Sequence, residues 1–448
     1  MKISVVILSL IFSQFAGAAT PSSLALNPDT IQRQLLKNNT SVLIGFNQVK
    51  QAKDEVNIAR GNLLPSLNLG GLLSFSGGGF ILSTIDFLVP FLVPSNWANY
   101  YSTKSTFEAE KISYKVIQLN TYGSALSLYY TLLSDNQVQG IYQQQYQDLQ
   151  DIYELQKRKS NTGVIPVSDL LQTQAQAQMA GVRASQLTEL NKQEFASIRK
   201  AMALPLTTNL SLEFVDVKAS PWEFESIKST VNQVNKVSVE RQQVRFLLKA
   251  AQDQVWSSTF GWINGASIGA KSSGSGNASL SNSSASGSIT LGFATYPKIQ
   301  LSQDQVKEIE LQDQELALEN SRIVESALNS LVEAKQQLDL ATQAENQMAR
   351  VYQIRVQEYD QGTENLTNVL LARTQMADAS VARIKSNLDV NLQRSLMQRA
   401  LISGEYSDVR GCSSSAKMPE APKKQGWLGR HLNPKIPAQG PSLDDICR

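Results

Sequence analysis

Apolar residues recur at intervals of seven at Ile309, Leu316 and Ile323, then at Leu331 and Leu338, and most of the positions between them are polar or charged. A seam that narrow belongs to helices packed side by side as in a coiled coil. The same reading predicts helices over about 28–62, 97–160 and 167–203, and again over about 223–256, 298–361 and 366–403. Pro28 suits a first helical turn, and 97–160 contains no proline. At 1.5 Å per residue, an unbroken helix of about 64 residues spans roughly 96 Å. The first and return helices of one half, about 35 and 37 residues, reach roughly 108 Å end to end. Each half can therefore build a column with two rails.

Between these helices the period changes to two. In "PSLNLGGLLSFS", Leu67, Leu69, Leu73 and Phe75 share one face while Ser66, Asn68, Ser74 and Ser76 share the other. Ile289, Leu291 and Phe293 alternate with Ser288, Thr290 and Gly292, and Phe260, Trp262, Ile268 and Ala270 follow the same rule. In "LSTIDFLVPFLVP" the alternation is poorer, and two prolines confine it to an edge or a strand end. Strands are expected at about 65–95 and 259–297. Their two-faced pattern fits a sheet covering a core or a barrel wall with lipid outside and water inside. Columns this long offer no compact core to cover, which favours the barrel. Four strands cannot close one in a membrane, so other copies must complete it; three would supply twelve strands. The Gly/Ser-rich stretch 271–287 reads as a loop.

The chain repeats itself. "NTGVIPVSDLLQTQAQAQMA" at 161–180 aligns without gaps to "DQGTENLTNVLLARTQMADA" at 360–379, an offset of 199 that matches Gly163 with Gly362, Gln176 with Gln375 and Ala180 with Ala379. Each stretch reads as the turn between a long helix and its return. Gly163 and Gly362 stand where a left-handed residue ends a helix, and Ser168 and Thr367 stand where a hydroxyl can cap the next one. The expected organisation is a signal peptide at 1–19, a first repeat at 20–204, a linker at 205–222, a second repeat at 223–404 and a tail at 405–448.

Composition narrows the chemistry. Lys plus Arg (41) nearly balances Asp plus Glu (39), which leaves no basic surface for nucleic acid. With one histidine, His431, and two cysteines, Cys412 and Cys447, the body of the chain has no metal cluster or His-centred triad, and no cofactor is implied. An enzyme is not expected. Lys2, an apolar run from Ile3 to Phe12 and the Ala16-Gly17-Ala18 sequence form a secretory signal, so the protein is exported. In the tail, Cys412 and Cys447 either form a disulfide, stabilising by roughly 3–4 kcal/mol, or remain free thiols.

With these features assembled, "TGVIPVSDLLQTQAQ", "QGTENLTNVLLARTQ" and "LLPSLNLGG" resemble the TolC-type outer-membrane efflux proteins over about residues 25–404. The resemblance implies a mainly α fold with a small membrane β part. In that family a trimer shares a twelve-stranded barrel on an α-helical tunnel in the periplasm. Its members work with an adaptor (membrane fusion protein) and an inner-membrane transporter, and their barrel contacts outer-membrane lipid. The resemblance makes Gly163, Val164, Ser168, Gly362, Thr363 and Thr367 the adaptor-docking tip. It makes Asp169 and Tyr359, a carboxylate and a phenol able to bond, the periplasmic gate, together with Glu364, Asn368 and Leu371. Asn368 and Leu371 replace the aspartate pair, and Glu364 the arginine, that members of the family often carry there. The expected function is passive conduction of small-molecule efflux substrates, or of polypeptides as in type I secretion. The alternative is a coiled-coil spacer that conducts nothing.

Overall fold

The computed structural model describes residues 23–64, 93–161, 166–260 and 295–413. The expected signal peptide, most of the expected barrel strands, Gly163, Val164 and most of the tail lie outside them. The described elements are β1 (Ser23–Leu26), α1 (Pro28–Asn38), α2 (Thr40–Gly61), α3 (Pro94–Asn161), α4 (Val167–Ala201), β2 (Asn209–Leu212), α5 (Ile227–Val237), α6 (Val239–Phe260), α7 (Thr295–Asp360) and α8 (Leu366–Leu401). The helical part of the expected fold is thus present. α3 and α7 run for 68 and 66 residues. Among the described residues no helix is long and apolar enough to cross a membrane.

The offset of 199 recurs in the element boundaries. α2 ends at Gly61 and α6 at Phe260; α3 ends at Asn161 and α7 at Asp360; α4 begins at Val167 and α8 at Leu366. It also explains two departures from the expected helices. The spans 28–62 and 223–256 are each broken, at Asn39 and at Ser238, where ψ swings to 129° and 118°. Both residues carry a side-chain acceptor that competes with the helix for backbone donors. Asn39 Oδ1 accepts the Ser41 and Val42 N–H groups, and Ser238 Oγ accepts that of Arg241. The starts of α1 and α5 use the same device, with Thr30 N–H on Asn27 Oδ1 at 2.8 Å and Ser229 N–H on Ser226 Oγ at 3.3 Å. The seam residues Ile309, Leu316 and Ile323 are half-buried, whereas Val324, Ala327, Leu328, Leu331 and Ala334 are buried.

The chain divides into two units, and α3, α7 and α8 each contribute to both. One contains the described residues up to Leu35, Ser124–Lys218 and Leu331–Leu392. Here β1 and β2 pair in parallel, Ser23 with Asn209 through Leu26 with Leu212, a short sheet that the sequence pattern did not indicate. The linker that follows is held down by Asn391, whose Oδ1 accepts the Val217 N–H at 3.0 Å while its Nδ2 donates to Asp216 at 2.9 Å.

The other unit contains Leu36–Gly123, Ala219–Ser330 and the chain from Gln393. Gly45 lets α2 approach α3: a Cβ there would meet Ile117 Cδ1 at 2.9 Å. Beside it Phe46 and Tyr114 meet edge to face at 6.2 Å. The first residues of the tail pack in this unit. Tyr406 stacks edge-on against Tyr122 at 5.1 Å, lies on Gly123 and shares a hydrogen bond of 3.0 Å with Ser395. Burial drives its phenol up to about 12. Arg241 grips Asp313 with two hydrogen bonds, at 2.9 and 2.6 Å, and Arg394 pairs with Glu223 at 3.0 Å. Cys412 is disulfide-bonded, and Cys447 is the chain's only other cysteine.

Both return helices end in the same left-handed turn, at Ala203 and at Ile402, each with φ of 51°. Leu204 N–H reaches Arg199 O and Ser403 N–H reaches Gln398 O, the six-to-one bond of a Schellman end, which glycine usually occupies. The Ala203 side chain is exposed and packs little. Ala203→Gly is therefore expected to stabilise by about 0.5–1 kcal/mol, the left-handed strain relieved exceeding the entropy glycine adds to the unfolded chain. A rise in the apparent thermal unfolding midpoint of the detergent-solubilised protein checks this; a fall contradicts it.

Candidate functional site

Four helices meet near the two repeated turns. Leu149 and Ile152 of α3, Ala177 and Ala180 of α4, Tyr359 of α7, and Leu366 and Leu370 of α8 form one apolar cluster. The second turn is built by backbone. Gly362, at φ 76°, donates its N–H to Tyr359 O at 3.0 Å, and Thr363 N–H reaches Glu358 O at 2.9 Å. These two bonds complete a Schellman end, so the left-handed role expected of Gly362 is observed. Thr363 Oγ1 adds a bond to Glu358 O at 2.9 Å.

The capping roles expected of Ser168 and Thr367 are not what the structure shows. α8 is capped two residues earlier by Asn365, whose Oδ1 accepts the Asn368 N–H at 2.9 Å; Thr367 lies inside the helix. α4 is preceded by Pro166, which has no side-chain acceptor, and Ser168 Oγ turns to Asp169 Oδ1 at 3.2 Å. A proline fixes the extended backbone that precedes a helix, so the hydroxyl is not needed there.

Asp169 and Tyr359 are brought together, but the hydrogen bond seen at the phenol comes from a third residue. Gln156 Nε2 donates to Tyr359 Oη at 2.7 Å, tying α3 to α7. Burial raises the Tyr359 pKa, the Gln156 bond opposes this, and the nearby Asp169 charge adds to it. Glu364 is paired with Arg355 of α7, and its carboxylate also accepts the Asn365 N–H at 2.9 Å and Asn368 Nδ2 at 2.8 Å. Glu364, Asn368 and Arg355 thus brace their own turn. Leu371 is exposed.

Sequence reasoning missed a buried ionic tie. Arg373 of α8, only 3% exposed, donates Nε–H to Asp148 of α3 at 2.7 Å. Its guanidinium also lies over the Tyr352 ring of α7, 5.7 Å from the centroid. Burial and the Asp148 charge raise the Tyr352 phenol pKa, and Arg373 offsets part of that. One turn from Asp148, Gln145 Nε2 reaches Thr374 Oγ1 at 3.5 Å. The signal available was the word "LLARTQ", where an arginine interrupts an otherwise apolar and small face; nothing in the sequence identified its partner. Among the described residues no group of His, Cys, Asp or Glu could hold a metal.

The two turns share a sequence plan but differ in burial. At offset 199, Val167 is 63% exposed where Leu366 is 5%, and Leu171 is 59% exposed where Leu370 is 0%. The start of α8 is therefore core, while the start of α4 presents an apolar edge.

Residues 31–204 match the model of the outer membrane efflux protein family. No curated protein matches the chain. In fold the chain is similar to the CmeC outer membrane channel of Campylobacter jejuni, at TM-score 0.67 and 15% identity, with 84% of this chain and 85% of that one covered. It is likewise similar to the outer membrane protein VceC of Vibrio cholerae (TM-score 0.66, 12% identity, 84% and 96% covered). The open state of the MtrE outer membrane channel of Neisseria gonorrhoeae gives TM-score 0.63 and 12% identity over 86% and 90%. The family resemblance carried by the turn words and by "LLPSLNLGG" is borne out.

Because Arg373 is almost fully enclosed, losing either partner strands a charge. Arg373→Ala is expected to destabilise by about 2–4 kcal/mol, somewhat less than a fully buried pair because Asp148 keeps some access to water. The Arg373→Ala, Asp148→Ala double variant should cost less than the sum of the singles in a denaturant double-mutant cycle. Additive losses would show that the two side chains do not act as a pair.

Proposed function

We propose that this chain is an outer-membrane channel subunit that conducts solutes passively, its helical tunnel standing in the periplasm and its tips closed by the ties between α3, α7 and α8. The observation that carries the reading is the four-helix convergence at the repeated turns, in a chain whose first repeat matches the outer membrane efflux protein family. Three copies share a twelve-stranded barrel formed by the alternating segments at about 65–95 and 259–297. Small-molecule substrates or polypeptides pass outward, delivered by a periplasmic adaptor and an inner-membrane transporter. The chain makes and breaks no bond.

The gate in this reading is Asp148–Arg373 and Gln156–Tyr359, with Asp169 beside the phenol. It can open without dismantling a whole core. Gln145 Oε1 and Gln156 Oε1 are buried without a hydrogen-bond partner, so these polar rungs are only partly satisfied and part more readily than apolar ones. The exposed apolar edge at Val167 and Leu171, next to Ser168 on the docking side of the first turn, supports adaptor contact there. Gly163, Val164, Gly362, Thr363 and Thr367 complete that tip.

Two measurements test the reading. Light scattering of the mature protein extracted from outer-membrane fractions, corrected for detergent, should give three chain masses; a monomer or a wholly soluble protein would favour the non-conducting spacer. In planar bilayers, Arg373→Ala combined with Tyr359→Phe should raise single-channel conductance severalfold while the mass stays trimeric. Unchanged conductance in an intact trimer removes the gate from these residues.

A further inference from the structure

Away from the turns, α3 and α4 are joined in their unit by a ladder of polar side chains. Gln139 Nε2 donates to Thr188 Oγ1 at 2.8 Å, and Asn191 Nδ2 donates to Gln139 Oε1 at 2.5 Å. Tyr142 and Leu187 extend the contact on one side, packed against Val138, Val381 and Ile384. On the other side, one turn along from Gln139, the facing residues are two acids, Asp135 of α3 and Glu194 of α4, hydrogen-bonded to each other.

Glu194 is only 8% exposed, and its Oε2 has no hydrogen-bond partner. A buried carboxylate would need donors on both oxygens, whereas a carboxylic acid can give its proton to a neighbouring carboxylate and leave the other oxygen bare at lower cost. Two carboxylates in contact cannot both ionise cheaply, so such a pair retains one proton. The remaining charge reaching the pair is Lys385 of α8, which acts on Asp135. The proton therefore belongs to Glu194, with Asp135 ionised and accepting.

We propose that Asp135 and Glu194 form a proton-binding joint between α3 and α4, closed by one shared proton and loosened when that proton leaves. Burial first, then the Asp135 charge, push the Glu194 carboxyl up to about 7, which places release within the ordinary range of an external medium. Burial also raises Asp135, though the Glu194 bond and Lys385 oppose that. The sign is fixed by linkage. A carboxyl raised above its unfolded value of 4.5 gives stability that is full below that value and is lost as pH climbs through about 7. The first hairpin is accordingly tighter in acid. Glu194 touches neither the gate nor the docking tip, and the joint stands whether or not the channel reading does.

The test is hydrogen–deuterium exchange of the full mature chain in detergent, followed in peptides covering 128–142 and 184–198 at about pH 6 and about pH 8 and corrected for intrinsic exchange. For one group that titrates near 7 the linkage factor between the two conditions is about ten, so protection should fall about tenfold. Glu194→Gln, which keeps the donor but cannot ionise, should hold protection level across the range. The carboxylic-acid carbonyl band in infrared difference spectra should titrate in the wild type and vanish in that variant. Asp135→Asn, which removes the neighbouring charge, should move the step to lower pH. Protection that does not change with pH in the wild type, or an identical step in Glu194→Gln, overturns the joint.

Discussion

A helix of 66 or 68 residues has to be covered along its whole length, because an isolated helix in water draws little stability from its own hydrogen bonds. The other described helices serve that need. In one unit α3 is covered by α2 at Gly45 and Phe46, by α6 through Ser102 on Ala250 O, and by the tail at Tyr406. In the other unit it is covered by α4 at Gln139 and Thr188, by α7 at Tyr359 and by α8 at Arg373. The halves are alike because each must solve the same covering problem.

The covering is more polar than in an ordinary core. Gln118, Gln145, Gln156, Asn191 and Arg373 are all buried, interleaved with Tyr114, Tyr122, Tyr129 and Tyr130. Such side chains pay a desolvation cost unless partnered, and several here are partnered across helices. Apolar packing alone would slide or rotate with little penalty along helices this regular. Directional bonds such as Asp148–Arg373 and Gln139–Thr188 set the register. Where a tie is partly satisfied, as at Gln145 and Gln156, the same polarity makes a place that can let go.

Duplication supplied two nearly equal turns, and packing made them different. Leu370 and Leu366 are enclosed while Leu171 and Val167 face outward, although each pair occupies the same place in its repeat. A glycine closes the second turn by its left-handed backbone, whereas Ala203 and Ile402 adopt that conformation without being glycine. The surrounding chain, and not the local residue, holds those two ends in place.

Much was legible before any coordinates. The seven-residue seam, the offset of 199 and the paired turn words determined the helices and their ends near 161 and 360, and the turn words carried the family resemblance, because each is written in local periodicity or in repeated sequence. The breaks at Asn39 and Ser238 were less legible, since a capping side chain inside a helical pattern competes on nearly equal terms with continuation. Tertiary structure alone decided which partner each polar side chain found. Gln156 reached Tyr359, Arg373 reached Asp148, Glu364 turned back to Arg355, and Asp135 met Glu194, over separations of 203, 225, 9 and 59 positions. A sequence states that such groups must be satisfied. Only the packing of one helix against another determines by which group, because that choice depends on rotation and register that no local pattern records.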